Sequence, residues 1–469
     1  MLQQGARRRS LVGIVLLVAT VVALAACAAP PTATESVAVT QSSDAPEVSE
    51  DENITLTVWY WGEQEAPGLK DFMDEAARLY TEEHPNIEVK TVLQGEDLRV
   101  AFRAAAEAKQ GPDIQYFWGG VWTLEDAWLG NLVPISDYWS EEEIAHLPIG
   151  QRAESFWDGK QWGMPFYQIG TFWVYNKKLF AEAGLDPETP PATWDELLTA
   201  CGKLKAKGIT PIGMGLKDGQ FGGWLISYFG AQNLDSIEDL LAAIRGDQDF
   251  TEKKHAEWWV RLDELIQNGC FNEDIMSIDG YQGQQLFESG DAAIVGHVQP
   301  FIVQLERQLG ADTVGVMRSP VYGTGEQATS VGVPVQNLAI TSFSPHKEEA
   351  ADYLRFLHSP RIMKLQYELS GAITPDDRLD STWLNTEADR LIAQWAKEYP
   401  LFWYQYYYPP ILETEGAIAG SQLLFSGEIT PEEAAQLYQD VAEKWRKSNP
   451  DQLAAYQKWS LPPEMFGGQ

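Results

Sequence analysis

Apolar residues recur along this chain with two periods, and the switches between them mark its elements. Ile54 to Trp61 (ITLTVWYW) mixes β-branched, Leu and aromatic residues and predicts a buried strand. Leu69, Phe72, Met73, Ala76, Leu79 and Tyr80 then follow helical spacing until His84-Pro85-Asn86. Ile87-Glu88-Val89 begins a second strand, so a strand–helix–strand unit and a parallel sheet are expected. A second unit runs from a helix around Leu98–Ala108 through Gly111-Pro112 to a strand over Asp113–Phe117. Farther on, Thr193-Trp194-Asp195-Glu196 reads as a capping box opening a helix whose buried face is Leu197, Leu198, Cys201 and Leu204. Strands are predicted at Ile209–Met214 and Asp291–Val295. Ser344-Pro345 is expected to open a helix, and Thr430-Pro431-Glu432-Glu433 to open another with a second capping box.

The N-terminus follows another pattern. Arg7, Arg8 and Arg9 precede an apolar stretch from Leu11 to Ala26, too short and too small-ended for a membrane span, as in a secretory signal. Leu24-Ala25-Ala26-Cys27 resembles the bacterial lipobox, which implies cleavage before Cys27 and lipidation of it. Residues 1–26 are then a lipoprotein signal peptide. Residues 27–53, rich in Ala, Pro, Thr, Ser, Glu and Asp, bury too little to offset ordering and read as a flexible linker. The expected location is extracytoplasmic, lipid-anchored to the bacterial cell membrane.

Composition narrows the rest. The remaining length is too great for one core, so two or more lobes are expected. A formal charge of −34 excludes nucleic-acid binding through phosphate neutralisation. Cys201 and Cys270 could pair in an oxidising compartment or pack as two buried thiols. Neither lies in a CxxC, which disfavours a redox site. The outlier is aromatic content: 18 Trp, 18 Tyr and 18 Phe, much of it bunched, point to an aromatic-lined cleft.

The order of motifs then becomes recognisable: TLTVWYWG, AAAEAKQGPDIQYFW, DGKQWGMPFYQIGTFWVYNKKLFAEAGL, PPATWDELLTACGKLKAKGITPIG, FESGDAAIVG, SFSPHKEEAADYLRFLHSP and FSGEITPEEAAQLYQDV. The chain resembles the family 1 extracellular solute-binding proteins of ABC sugar importers over nearly all of residues 54–445. The resemblance implies an α/β fold of two lobes like that of the periplasmic binding proteins, with mostly parallel sheets flanked by helices and three hinge crossovers. Lobe 1 would comprise residues 54–166 and 334–372, and lobe 2 residues 167–333 and 373–469. The crossovers would lie near Phe166-Tyr167-Gln168, Val331–Val335 and Gly371-Ala372-Ile373-Thr374.

Ligand residues are sought where strands end, since open α/β sheets bind off their carboxyl edges. A sugar offers apolar C–H faces and a rim of hydroxyls, so flat rings beside amides and carboxylates suit it. That selects Trp61 and Glu63 after the first strand, and Trp118 and Trp122 after the third. Asp113 reads as structural. The resemblance adds Gln168, where maltose-binding members carry a Glu that contacts sugar; Asp218, Phe221 and Trp224 in a loop resembling one that supplies a stacking ring; and His297, where an aromatic is common. It also adds Trp403 and Tyr407 from the run Phe402–Tyr408. Read as a helix, that run would leave some rings exposed, to ligand or to a partner.

No motif for zinc, phosphate-loop, dinucleotide or serine-hydrolase chemistry appears, so no cofactor, metal or catalytic residue is expected. The adjacent acids Glu125-Asp126 and Asp376-Asp377 are what chance would produce among 68. The expected function is capture of a carbohydrate, a di- or oligosaccharide in preference to one ring, by a monomer that delivers it to the permease subunits of an ABC importer. Rival readings are a secreted glycosidase, which needs two facing carboxylates, a lectin-like surface protein, and a binder of an osmolyte or glycerol phosphate ester. The acidity of the chain argues against the phosphate ester.

Overall fold

The computed structural model describes residues 53–95 and 97–461, so the leader, Cys27 and the spacer up to residue 52 lie outside the described residues. In chain order the strands are β1 (Ile54–Tyr60), β2 (Ile87–Leu93), β3 (Ile114–Trp118), β4 (Leu132–Val133), β5 (Phe156–Trp157), β6 (Lys160–Gln161), β7 (Met164–Gln168), β8 (Thr171–Asn176), β9 (Thr210–Ile212), β10 (Ala292–Val298), β11 (Val314–Met317) and β12 (Val335–Thr341). They form a sheet ordered β2-β1-β3-β12-β4, with β7 also on β12, a second sheet ordered β11-β8-β10-β9, and the hairpin β5-β6. Helices flank both main sheets.

The first strand–helix–strand unit is parallel as the periodicity implies: Ile54–Tyr60 pairs with Ile87–Leu93, and Val58 with Ile114. The sheets as wholes are mixed, not mostly parallel. β12 runs antiparallel to β3, β4 and β7, and β8 antiparallel to β10 and β11. The difference follows from connection. A local helical crossover returns a strand in the same direction, whereas β12 enters the first sheet after the chain has built the second.

The passages between the sheets lie side by side. Gln168 bridges Ile373, Thr171 bridges Gly332, and the Ile169 N–H donates to the Pro334 carbonyl at 2.9 Å. Gly371 takes φ +72°, a conformation glycine adopts without steric cost.

Local expectations resolve in detail. Both capping boxes form: Thr193 with Glu196 ahead of the helix Trp194–Lys205, and Thr430 with Glu433 ahead of Pro431–Ser448. Asp113 is structural, but through distant partners: it accepts from the Thr57 N–H at 2.8 Å and from the Ser344 hydroxyl at 2.5 Å. The helix expected at Ser344-Pro345 starts at Lys347, and the Ser344 hydroxyl accepts from the His346 N–H at 3.0 Å just ahead of it. Cys201 and Cys270 are disulfide-bonded, with Cα atoms 5.4 Å apart and a sequence separation of 69. A closure of that length is worth on the order of 4 kcal/mol in the chain-entropy account.

The run Phe402–Tyr408 departs most from its expectation. It is not an α-helix. Trp403 is extended, a single 3₁₀ turn spans Tyr404–Tyr406, and all its aromatic rings are buried. Phe402 stacks on Tyr407 at 5.6 Å with planes 4° apart, and Tyr407 stacks in turn on Trp459. The rings pack on one another and on neighbouring elements, so none is left to form a partner surface.

Candidate functional site

A cavity of about 290 Å³ opens where residues from both sheets meet. From the first sheet come Trp61 and Glu65, in the loop after β1, and Trp118, at the end of β3. Arg99 reaches in from the helix Leu98–Ala108 and Trp122 from the helix Val121–Trp128. Ile169 and Thr171 flank the passage from β7 to β8. The far wall is Trp224, on the helix Gln220–Phe229, with Trp403, Gln405, Tyr406 and Glu413.

The rings brace one another. Trp61 lies 5.4 Å from Trp118, and Trp118 lies edge-on to Trp122 at 6.2 Å. The Arg99 guanidinium sits over Trp122, 4.2 Å from its centroid, a cation–π contact. Opposite, Trp224 lies edge-on to Trp403 at 6.4 Å and is backed by Phe221 at 4.5 Å. Glycines permit the closest approaches. A side chain at Gly120 (φ +63°) would strike the Tyr406 carbonyl, and one at Gly223 would strike Glu413. Gly120 therefore lets the two walls meet, and Gly223 lets Glu413 pack against the helix that carries Trp224.

Beneath the rings runs a polar network. Glu65 accepts from the Tyr167 hydroxyl at 3.2 Å and from the Gln336 side-chain amide at 3.0 Å, and the Tyr406 hydroxyl donates to Gln336 Oε1 at 3.3 Å. Burial pushes the Tyr406 and Tyr167 phenols well above their usual range, so both stay protonated donors. Glu413 projects from the π-helix Leu412–Ile418 and accepts from the Gln405 side-chain amide. A π turn is a rare distortion that recurs at functional sites.

Burial raises the Glu413 carboxyl from 4.5 to about 7, against the opposing effects of the Gln405 bond and the Arg99 charge. Between those values the folded chain holds a proton that the unfolded chain has lost, so this group makes stability fall as pH rises through that window. Glu413→Gln removes the slope. Thermal unfolding of both proteins from pH 4.5 to 8 should show the variant gaining on the wild type as pH rises. A constant difference would contradict this environment for Glu413.

Of the residues singled out from sequence, Trp61, Trp118, Trp122, Trp224 and Trp403 share this cavity. The others lie elsewhere. Glu63 accepts from the Gly68 and Lys70 N–H groups and secures the start of the helix Leu69–Glu83. Gln168 lines a separate cavity behind the crossovers with Ile373 and Asp376. Asp218 is exposed and accepts from the Gly280 N–H at 3.4 Å. Phe221 is buried behind Trp224 against Gly280. His297, 2% exposed, accepts from the Val298 N–H and packs on Phe301, and burial lowers its pKa to about 3. Tyr407, 1% exposed, is core. Sequence reasoning missed Glu65, Arg99, Gln405, Tyr406 and Glu413. Glu65 lies two residues past the acid chosen, and Arg99 occupies a position that reads as a solvated helix face.

The arrangement provides apolar faces on several sides and fixed polar groups at a few points, as small-molecule sites do. Among known proteins, the family described as "Bacterial extracellular solute-binding protein" matches residues 62–364. An sn-glycerol-3-phosphate-binding periplasmic protein, UgpB, of Rhizobium meliloti (strain 1021) is 24% identical over 321 residues, covering 64% of this chain and 71% of its own. A chitin oligosaccharide binding protein superposes with TM-score 0.72 at 22% identity, over 84% of this chain and 99% of its own. A structure from work on xylan utilization by the thermophilic bacterium Caldanaerobius polysaccharolyticus gives TM-score 0.71 at 21% identity, over 82% and 99%. The solved structures share the two-lobe α/β fold.

Proposed function

We propose that this chain, which belongs to the bacterial extracellular solute-binding proteins, captures a carbohydrate in the tryptophan-lined cavity and delivers it to an ABC permease. The observation that carries the reading is the convergence of Trp61, Trp118, Trp122, Trp224 and Trp403 on one cavity with Glu65, Gln405 and Glu413 among them. Indole faces suit the C–H faces of a sugar ring, and amide and carboxyl groups suit its hydroxyls. Similar proteins named for glycerol phosphate, chitin oligosaccharide and xylan utilization support a polyhydroxylated ligand. A disaccharide or longer chain is favoured over a single ring, given rings on both walls.

In this reading lobe 1 comprises residues 54–166 and 334–372, lobe 2 residues 167–333 and 373–469, and the three crossovers act as the hinge. The ligand touches both lobes and so favours the closed state. Periplasmic binding proteins are themselves a standard example of hinge closure around a ligand. The protein works as a monomer, tied to the membrane by a lipid on Cys27, with residues 28–53 as tether. Among the described residues no helix is long and apolar enough to cross a membrane. Small-angle X-ray scattering of residues 28–469 tests closure. The radius of gyration falls on saturation with a bound sugar; an unchanged value at proven saturation sinks the closure mechanism.

A further inference from the structure

Arg99 belongs to two cavities. Besides the tryptophan-lined one, it lines a second of about 400 Å³, bounded by the helices Leu98–Ala108 and Pro431–Ser448 and by the Pro409-Pro410-Ile411 segment. The character of the second differs from that of the first. Arg99, Arg103 and Lys444 face it, with Glu125 and Glu415 as the lining carboxylates. Arg99 and Arg103 share one carboxylate oxygen of Glu125, at 2.9 and 3.1 Å, while Lys444 pairs with Glu415 at 3.1 Å. Three cations and two carboxylates line this cavity, and the buried Asp126 and Glu413 also act on Arg99, so charge here is close to balanced. What sets the cavity apart in a chain of formal charge −34 is its cluster of guanidinium donors. Two guanidiniums on one carboxylate also keep spare N–H donors in the fork geometry that fits carboxylate and phosphate. Arg99 is held between the cavities, its face on Trp122 and its edge toward Glu125.

We propose that the second cavity is a subsite for an anionic substituent, so that the ligand is an acidic saccharide: a ring stacked among the tryptophans, with a carboxylate or phosphate reaching Arg99 and Arg103. The inference rests on the carbohydrate reading above. It runs against the expectation from net charge, because recognition depends on the donors a cavity presents and not on the sum over the chain.

The test is isothermal titration of residues 28–469 with matched sets: glucose, glucuronate and glucose 1-phosphate, and disaccharides that differ by one uronic-acid or phosphate group. At least one acidic member is expected to bind about tenfold or more tighter than its neutral counterpart, with that ratio shrinking as salt rises. Preference for uronate or for phosphate identifies the anion. Arg103→Gln should bring the ratio toward one, and Lys444→Gln should reduce it less. Neutral members binding as well as acidic ones would overturn the subsite while leaving the carbohydrate reading intact. So would a ratio unmoved by Arg103→Gln in a folded protein. Binding by no member of any set would overturn the carbohydrate reading and the subsite with it.

Discussion

Alanine at Trp118 is expected to weaken sugar binding by about 30-fold or more, roughly 2 kcal/mol. The ring stands at the end of β3 between Trp61 and Trp122, so it is held from both sides before any ligand arrives. A ring fixed in advance loses little freedom on binding, and that is where truncation costs most. Trp118 is only partly buried, so stability should change much less than affinity. Titration calorimetry of the variant beside its thermal unfolding separates the two. Wild-type affinity in Trp118→Ala would move the ligand out of this cavity.

Tyr407→Ala should behave in the opposite way. Its ring is buried between Phe402 and Trp459, with centroids 5.6 Å away on each side, and lines no part of the tryptophan-lined cavity. Deleting such a ring removes its transfer energy and leaves a void, at a cost of about 3–5 kcal/mol. That is a large share of the ~5–15 kcal/mol that holds a typical domain together. Urea unfolding should show the loss, while the fraction that remains folded binds sugar with wild-type affinity. A stable Tyr407→Ala that fails to bind would make Tyr407 a ligand contact after all.

These two residues also show what the sequence made legible. Trp118 follows a readable strand, and strand ends are where an α/β sheet presents ligands, so its place could be inferred from local pattern and topology. Tyr407 sits in a run that, read as a helix, would leave some rings exposed. The backbone is irregular there, and side-chain direction in irregular backbone is set by distant partners such as Trp459, which no local period encodes. His297 came from the resemblance and not from a local pattern, and it lies on β10, a strand buried on both faces, with its ring on Phe301 and away from the tryptophan-lined cavity. Glu413 had no local signal at all. Its position depends on a π-helix and on the missing side chain of Gly223, far earlier in the chain. Capping boxes were legible because their chemistry spans a single helical turn. The mixed sheets were not, because β12 joins the first sheet only after the chain has left it and returned.

The central claim is that the tryptophan-lined cavity binds a carbohydrate. The direct measurement is a fluorescence titration of residues 28–469 against a panel of neutral and acidic mono-, di- and trisaccharides. With Trp61, Trp118, Trp122, Trp224 and Trp403 at the cavity, a saturable change in emission is expected with one or a few members, together with its loss in Trp118→Ala. A flat response across the panel from protein shown to be folded would contradict it.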